Sequence, residues 1–128
     1  MGEHPNAELY RQGMEASMTS PEAFGQFLDD DVVWWQIGSP PLRGKEAVLQ
    51  AMEGYDGLDF QADIHDVVAN DDHVVGLVTA TVRTGDQEFT YRTAEIAHVK
   101  EGKVTERWAF SDDTQAIADF FSGLGVAE

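Results

Sequence analysis

Side chains that could transfer protons lie within the strand-rich half of this sequence and directly after its last strand. His65 and His98 fall inside runs of β-branched and aromatic residues, and imidazole titrates near neutral pH. Glu95 lies within one of these runs, and Asp112 and Asp113 follow the last of them directly. Carboxylates and imidazoles are the usual general acids and bases of enzymes. Acid/base chemistry is therefore the type of catalysis that these residues could support.

Each of these residues also has a structural interpretation. Asp is a favoured N-cap residue, so the two aspartates could instead cap the helix that follows them. Glu95 could pair with Arg92 or Arg107 at the surface, where most glutamates lie. The two histidines stand on different predicted strands with no carboxylate at ligand spacing. We therefore expect hydrogen-bonded structural roles for them and no metal site.

The composition excludes several other kinds of chemistry. The chain has no cysteine, which excludes disulfides, thiolate catalysis and thiolate metal sites. It contains no Gly-x-Ser-x-Gly elbow, phosphate-binding loop or dinucleotide fingerprint, so we expect no organic cofactor. The formal net charge of −16 argues against nucleic acid and anionic membranes as partners.

Length and apolar patterning predict one domain over residues 1–128. The N-terminus has no basic region followed by an apolar one, which argues against a signal peptide. The apolar runs are too short to span a bilayer. A cytoplasmic protein is the default expectation.

Periodicity predicts three helices, one strand among them, a strand-rich region and a last helix. The first helix carries Tyr10 and Met14 on its apolar face, and the second begins at Ser20-Pro21, a typical helix start. The predicted helices cover 6–18, 20–28, 44–55 and a segment after Asp113, and the first strand covers 31–37.

The stretch from Leu58 to Phe110 is predicted to form four long antiparallel strands. Turn residues interrupt it at 70–72, 84–86 and 101–102. Strands of roughly a dozen residues would span roughly 40 Å, whereas the radius of gyration of such a chain is roughly 14 Å. The sheet must therefore bend, and its concave face must be filled. The predicted fold is α+β, with the N-terminal helices in the hollow of a strongly curved antiparallel sheet.

Two segments carry a resemblance to a known family. Residues 27–35 and 44–48 (FLDDDVVWW and GKEAV) are similar to the pattern F-x-x-D-hydrophobic-x-W … G-x-x-A-V. Residues 102–108 with the aspartates behind them resemble D-G-K-I-x-E-x-W … D. These patterns are typical of SnoaL-like members, related to polyketide cyclases and ketosteroid isomerases, of the nuclear transport factor 2 fold. The resemblance covers nearly the whole chain and implies a conical sheet closed by three N-terminal helices over a pocket.

The resemblance also implies roles for particular residues. Glu95 falls at or near the acid that donates to the oxyanion in ketosteroid isomerases, which implies that Tyr91, Glu95 and Trp108 face inward. Burial disfavours the charged form of a carboxylic acid, so Glu95 would donate or shuttle a proton. In SnoaL-like cyclases an acid in the region of Asp112 and Asp113 acts as general base at the pocket mouth.

The same comparison argues against ketosteroid isomerase activity itself. The general-base position falls near Trp35, which cannot take a proton. The tyrosine of the first helix has no direct match, although Tyr10 and Met14 lie on the right helix face. The Arg-x-Asp element of limonene-epoxide-type hydrolases is also not visible.

Aromatic residues from helices and strands are expected to line the pocket, although each taken singly would be an ordinary core residue. Together with the acids they suit a small apolar or aromatic ligand. The expected lining residues are Tyr10, Met14, Trp35, Tyr55, Tyr91, Trp108 and Phe110.

Two functions fit these observations. The first is a cofactor-independent acid/base enzyme of isomerase, cyclase or dehydratase type that acts on an apolar carbonyl compound, with Glu95, Asp112 and Asp113 as catalytic residues. The second is a ligand-binding or dimerisation module without chemistry. In either case the resemblance implies a homodimer through the outer sheet face, which is a large apolar surface.

Overall fold

Helices and strands occupy most of residues 4–37, 40–54 and 58–123, which are the residues that the computed structural model describes. Within these ranges the helices are α1 (Pro5–Ser17), α2 (Pro21–Gly25), α3 (Lys45–Glu53) and α4 (Thr114–Gly123). The strands are β1 (Leu28–Trp34), β2 (Leu42–Arg43), β3 (Asp59–Ala69), β4 (His73–Thr84), β5 (Gln87–Lys100) and β6 (Lys103–Ser111).

The strands form one curved, unclosed sheet in the order β2-β1-β6-β5-β4-β3. Strands β3 to β6 are the predicted antiparallel meander, joined at the predicted turns. Strand β1 joins the sheet parallel to β6, and β2 lies antiparallel at its edge. The three N-terminal helices precede or interrupt these strands, so the predicted α+β architecture is confirmed.

The first strand differs from its prediction. It begins at Leu28 rather than Asp31 and ends at Trp34 rather than Ile37, because parallel pairing with β6 aligns Leu28 with Val104. That pairing buries the Leu28 side chain completely, in spite of the acidic run that follows it. Strand β2 was not predicted, and the predicted end of the third helix, Tyr55, lies outside the described residues.

A β-bulge in β6 decides which of its side chains face the interior. Beyond His98 the pairing of β5 with β6 shifts, and β6 gains one residue relative to β5. Val104 and Arg107 therefore face the same inner side, although three positions separate them. Beyond the bulge, Trp108 and Phe110 lie on the outer face.

Helices cover both ends of the concave face. Ala7 of α1 packs with Val74 and Ala97 of the sheet. Ile117 and Phe121 of α4 are fully buried in another cluster of the core. No helix in the described part of the chain is long and apolar enough to cross a membrane.

Candidate functional site

A cavity of about 800 Å³ lies between the N-terminal helices and the inner face of the sheet. Most of its wall is apolar or aromatic, as is usual for sites that bind small molecules. The polar side chains that line it include Tyr10 of α1, Thr93 and Glu95 of β5, and Arg107 of β6.

Three of these side chains form one hydrogen-bonded group, which we call the Tyr10–Glu95–Arg107 triad. The Tyr10 hydroxyl donates to Glu95 Oε1 at 2.6 Å, and Arg107 Nη2 donates to Glu95 Oε2 at 2.8 Å. The Arg107 and Glu95 side chains are only 11% and 14% exposed. Such a partly buried, hydrogen-bonded ion pair is held more firmly than a surface one.

Neighbouring groups fix the position of Arg107. Its Nη1 donates to the backbone carbonyl oxygen of Trp35 at 3.1 Å, just beyond the end of β1. Its guanidinium carbon lies 4.5 Å from the ring centroid of Trp34, a cation–π arrangement. The parallel pairing of β1 with β6 brings these groups together, since Trp34 is aligned with Arg107.

A glycine makes room for Tyr10. Gly76 of β4 is the ladder partner of Glu95 on β5. A β-carbon on Gly76 would lie 2.6 Å from the Tyr10 ring and hydroxyl, so only glycine allows the ring to lie there. The Tyr10 hydroxyl thus reaches the Glu95 carboxylate because β4 has no side chain at Gly76.

Tyr10 and Glu95 play different parts in the hydrogen bonds of the triad: the phenol donates and the carboxylate accepts. Burial, followed by the charge of Glu95, raises the pKa of Tyr10, so the phenol stays neutral and donates. Glu95 accepts through both carboxylate oxygens, from the Tyr10 hydroxyl and from Arg107 Nη2. Sequence reasoning considered pairing of Glu95 with Arg107 only as a surface alternative; the pair does form, but in the wall of the cavity.

Tyr10, Met14, Tyr91 and Glu95 line the cavity as the sequence predicted. Tyr55, also expected there, lies outside the described residues.

The structure corrects the position of Trp35. Trp34 lines the cavity, and successive side chains of a strand point to opposite faces. Trp35 is consequently directed outward, and its Nε1 donates to Glu106 at 2.9 Å.

Trp108 and Phe110 are likewise on the outer face, because of the bulge in β6. Trp108 is paired with Ile96 and packs edge-on against His98, with ring centroids 4.7 Å apart. Phe110 is 58% exposed. The expectation that these two rings line the pocket is wrong, since period-two alternation was continued through a strand that contains an extra residue.

Asp112 and Asp113 are not brought to the triad. Asp112 accepts from Arg92 at 2.6 Å on the exposed side, and that guanidinium lowers the pKa of Asp112. Asp113 Oδ1 accepts from the Ala116 backbone N–H at 3.0 Å, which is an N-cap bond of α4. Both aspartates border a separate cleft of about 350 Å³. The capping alternative is confirmed for Asp113, and the placement of the pair at the mouth of the main cavity is wrong.

The two strand histidines lie apart. His65 shares a hydrogen bond with Thr79. His98 packs edge-on against His73, with centroids 4.5 Å apart. Among residues 4–37, 40–54 and 58–123, no three His, Asp or Glu side chains converge as metal ligands.

Sequence reasoning missed three residues of this site. Arg107 was considered only as a surface partner of Glu95, because its inward direction depends on the bulge. Thr93 gave no signal, because threonine is common in strands. Gly76 did give a signal. An isolated glycine inside a run of β-branched residues indicates that something approaches the strand closely.

Solved structures share this fold. Bal32a from a soil-derived mobile gene cassette has a TM-score of 0.81 at 23% identity, with 90% of this chain and 95% of that chain covered. A Catenulispora acidiphila protein with a ketosteroid isomerase-like fold, in complex with trimethylamine, has a TM-score of 0.76 at 14% identity, with 93% of each chain covered. TerC, co-crystallised with polyporic acid, has a TM-score of 0.75 at 17% identity, with 91% and 97% covered. The chain therefore has the predicted nuclear transport factor 2-like fold.

Sequence comparison gives the family. Among curated proteins, none matches this chain. Residues 10–107, however, match the SnoaL-like domain, and this segment begins at Tyr10, ends at Arg107 and so contains the whole triad. Because the match spans most of the sequence, the chain belongs to the SnoaL-like domain family.

Proposed function

We propose that the protein binds a small, mostly apolar molecule in the main cavity and acts on a carbonyl-containing compound by acid/base chemistry. In this proposal Glu95 is the proton acceptor. The observation that carries it is a carboxylate, 14% exposed, inside a cavity of about 800 Å³ and held in place by Tyr10 and Arg107. A positioned base in an apolar pocket is a common arrangement for proton abstraction beside a carbonyl group.

Cavity size and lining support the ligand part of the proposal. Pockets for small molecules usually measure roughly 300–1,000 Å³ and combine apolar walls with few polar groups. Two proteins of the same fold contain small molecules in their structures, trimethylamine in one and polyporic acid in the other. We propose by analogy that this chain also holds a small molecule in its hollow.

The proton transfer needs only groups of the triad. A carboxylate oxygen of Glu95 takes a proton from the carbon beside the carbonyl. The electron pair of that C–H bond forms a C=C bond, and the carbonyl π electrons move to oxygen as an enolate. Return of the proton to the same carbon gives exchange, and its return to another carbon of a conjugated enolate completes an isomerisation. Tyr10 and Arg107 hold the Glu95 carboxylate in position by their hydrogen bonds during this step.

A second candidate is ligand binding without chemistry. It is favoured by the observation that both oxygens of Glu95 already accept hydrogen bonds, at 2.6 and 2.8 Å. The outward position of Trp35, at the general-base position implied by the family resemblance, also favours it. In this case the triad closes one end of the cavity and orients the ligand.

Exchange of carbon-bound protons distinguishes the two functions. The probe is 4-phenylcyclohexanone in D₂O, and NMR follows loss of the protons beside its carbonyl group. We expect the wild-type protein to accelerate exchange over buffer, Glu95→Gln to abolish the acceleration, and Glu88→Gln, which removes an exposed carboxylate paired with Arg83, to retain it. Binding of the probe without accelerated exchange would favour the second candidate, and absence of binding would contradict both.

We also propose that a second copy of the chain covers the outer sheet face. Val68, Leu77 and Phe110 are 59%, 46% and 58% exposed there, which is unusual for residues of this size. Their strands are paired neighbours, with Leu77 opposite Ala94 and Ala94 opposite Phe110. Exposed apolar side chains on paired strands of a chain of formal charge −16 suit a self-complementary contact better than a charged partner.

A further inference from the structure

We propose that the Thr93 hydroxyl is a ligand-binding group of the cavity and donates a hydrogen bond to the carbonyl oxygen of the bound compound. The inference deepens the proposed function and rests on it. Thr93 has no role implied by the sequence or by the family resemblance. Its assignment comes from burial, hydrogen bonding and position on the strand.

The Thr93 hydroxyl faces the cavity and has no protein partner among the described residues. Thr93 is 8% exposed, one of two buried polar residues in the described part of the chain. Its side chain makes no hydrogen bond to any residue that the structure describes, and it lines the main cavity, from which the hydroxyl is accessible. Polar groups of largely buried residues usually have a partner. The cavity is the place from which a partner can come.

The neighbours of Thr93 on the sheet do not explain its hydroxyl. The cross-strand neighbour of Thr93 on β4 is Val78, which is buried and apolar. Its neighbour on β6 is Ser111, whose hydroxyl donates to Asp112 and not to Thr93. Because valine has nearly the same shape and suits a strand at least as well, packing alone does not account for the hydroxyl.

Thr93 stands beside the proposed base. It lies two residues before Glu95 on β5, on the same inner face, so their side chains are roughly 7 Å apart along the strand. This spacing fits a carbonyl group whose oxygen meets Thr93 while the adjacent carbon meets Glu95.

Glu95 and Thr93 differ in the hydrogen bonds that they can make to a ligand. Tyr10 already donates to Glu95, and Glu95 accepts from Arg107, whereas the Thr93 hydroxyl is free to donate. As Glu95 takes the proton from carbon, negative charge develops on the carbonyl oxygen. A hydrogen bond from Thr93 stabilises that oxygen more strongly in the enolate than in the ketone. No atom or electron beyond those of the ligand and Glu95 is needed.

The first test measures stability and needs no ligand. Thr93→Val removes the hydroxyl and keeps the shape, and Thr93→Ser keeps the hydroxyl. We expect the midpoint of urea unfolding of Thr93→Val to be equal to or above that of the wild type, since the hydroxyl makes no hydrogen bond to the described residues that the change would break. A lower midpoint for Thr93→Val that Thr93→Ser restores would mean that the hydroxyl serves the fold, and would overturn the assignment.

The second test measures binding with two matched probes, 4-phenylcyclohexanone and phenylcyclohexane, by titration calorimetry. One hydrogen bond is worth roughly 0.5–1.5 kcal/mol, so Thr93→Val should weaken ketone binding roughly three- to tenfold. It should leave hydrocarbon binding unchanged within a factor of about two, because no polar contact is lost. Thr93→Ser should restore ketone affinity. Thr90→Val, the same change on the exposed outer face of β5, is the control and should alter neither affinity.

The outcomes separate the two proposals. If both probes bind but Thr93→Val weakens neither, or weakens both equally, the assignment of Thr93 is overturned while ligand binding stands. If neither probe binds to the wild-type protein, the proposed function fails, and the role of Thr93 fails with it.

Discussion

The phenol ring of Tyr10 lies against the Cα atom of Gly76, so close that a β-carbon there would be 2.6 Å from three atoms of the tyrosine. The ladder partner of Gly76 is Glu95, the carboxylate to which Tyr10 donates. One missing side chain on β4 thus permits the contact between a helix and the sheet on which the triad depends.

Replacement of Gly76 by alanine should displace Tyr10. The added methyl group overlaps the ring, and overpacking of this kind costs roughly 1–3 kcal/mol. We expect the free energy of unfolding, measured with urea, to fall by this amount and binding of 4-phenylcyclohexanone to weaken. Gly123→Ala is the control, because a β-carbon there meets nothing within 4 Å. A Gly76→Ala protein with wild-type stability would show that Tyr10 moves aside freely.

Replacement of Arg107 by methionine should destabilise the protein through Glu95. It leaves a partly buried carboxylate without its countercharge, and breaking such a pair costs roughly 3–5 kcal/mol. The double variant Arg107→Met with Glu95→Gln should lose less than the sum of the two single changes, because no uncompensated charge remains. Arg83→Met removes the cation of an exposed pair, and we expect a loss below about 1 kcal/mol. Strict additivity at the Arg107–Glu95 pair would contradict the geometry described above.

The raised pKa of Tyr10 predicts that the folded protein loses stability in alkaline solution. The unfolded chain releases this proton near pH 10, the ordinary value for tyrosine, whereas burial raises the pKa of Tyr10 in the folded protein. Above about pH 10 the folded state therefore binds more protons than the unfolded state, and stability falls by at most about 1.4 kcal/mol per pH unit from this group. Below that pH the contribution is fully present. Urea unfolding at several pH values should show a steeper decline for the wild type than for Tyr10→Phe, and equal slopes would refute this assignment.

Asp113 should matter for the last helix and not for the cavity. Removal of its capping bond in Asp113→Ala should cost about 1 kcal/mol of stability, whereas Asp113→Asn, which can still cap, should cost little. Asp112→Asn, at an exposed ion pair, should change stability less. All three variants should bind 4-phenylcyclohexanone as the wild type does. A marked loss of affinity in either asparagine variant would restore these aspartates as candidates for the site.

The outer face should be an interface between two copies. We expect sedimentation velocity to give a dimer for the wild type and a monomer for Leu77→Lys, since a charge in the centre of the apolar patch is costly to bury. Lys100→Glu changes the charge of an exposed residue of β5 at the strand end and should leave the dimer intact. A monomeric wild-type protein at micromolar concentration would contradict the proposal.

The fold was predictable because its main signals are local. Long apolar runs between turn residues gave the four strands of the meander, and the Ser20-Pro21 start gave α2. The end of the first strand was not predictable in the same way. Its register depends on parallel pairing with β6, a contact between Leu28 and Val104 that no local pattern encodes.

The site was predictable only in part, for a related reason. Tyr91 and Glu95 follow simple alternation along β5 and reach the cavity as expected. Trp108 does not reach the cavity, because the extra residue in β6 reverses the alternation and directs Arg107 inward. The same reversal brings Arg107 to Glu95, where it donates a hydrogen bond to the carboxylate. The extra residue in β6 thus directs Trp108 away from the cavity and Arg107 into it.

The binding position of a small apolar ketone tests most directly whether the main cavity is the ligand site. NMR contacts between protons of 4-phenylcyclohexanone and protein methyl groups can locate it. We predict contacts to Val78, Ala80 and Ala97, whose side chains line the cavity. Contacts to Val68 and Leu77 on the outer face in place of these, or none at saturating probe, would contradict the account.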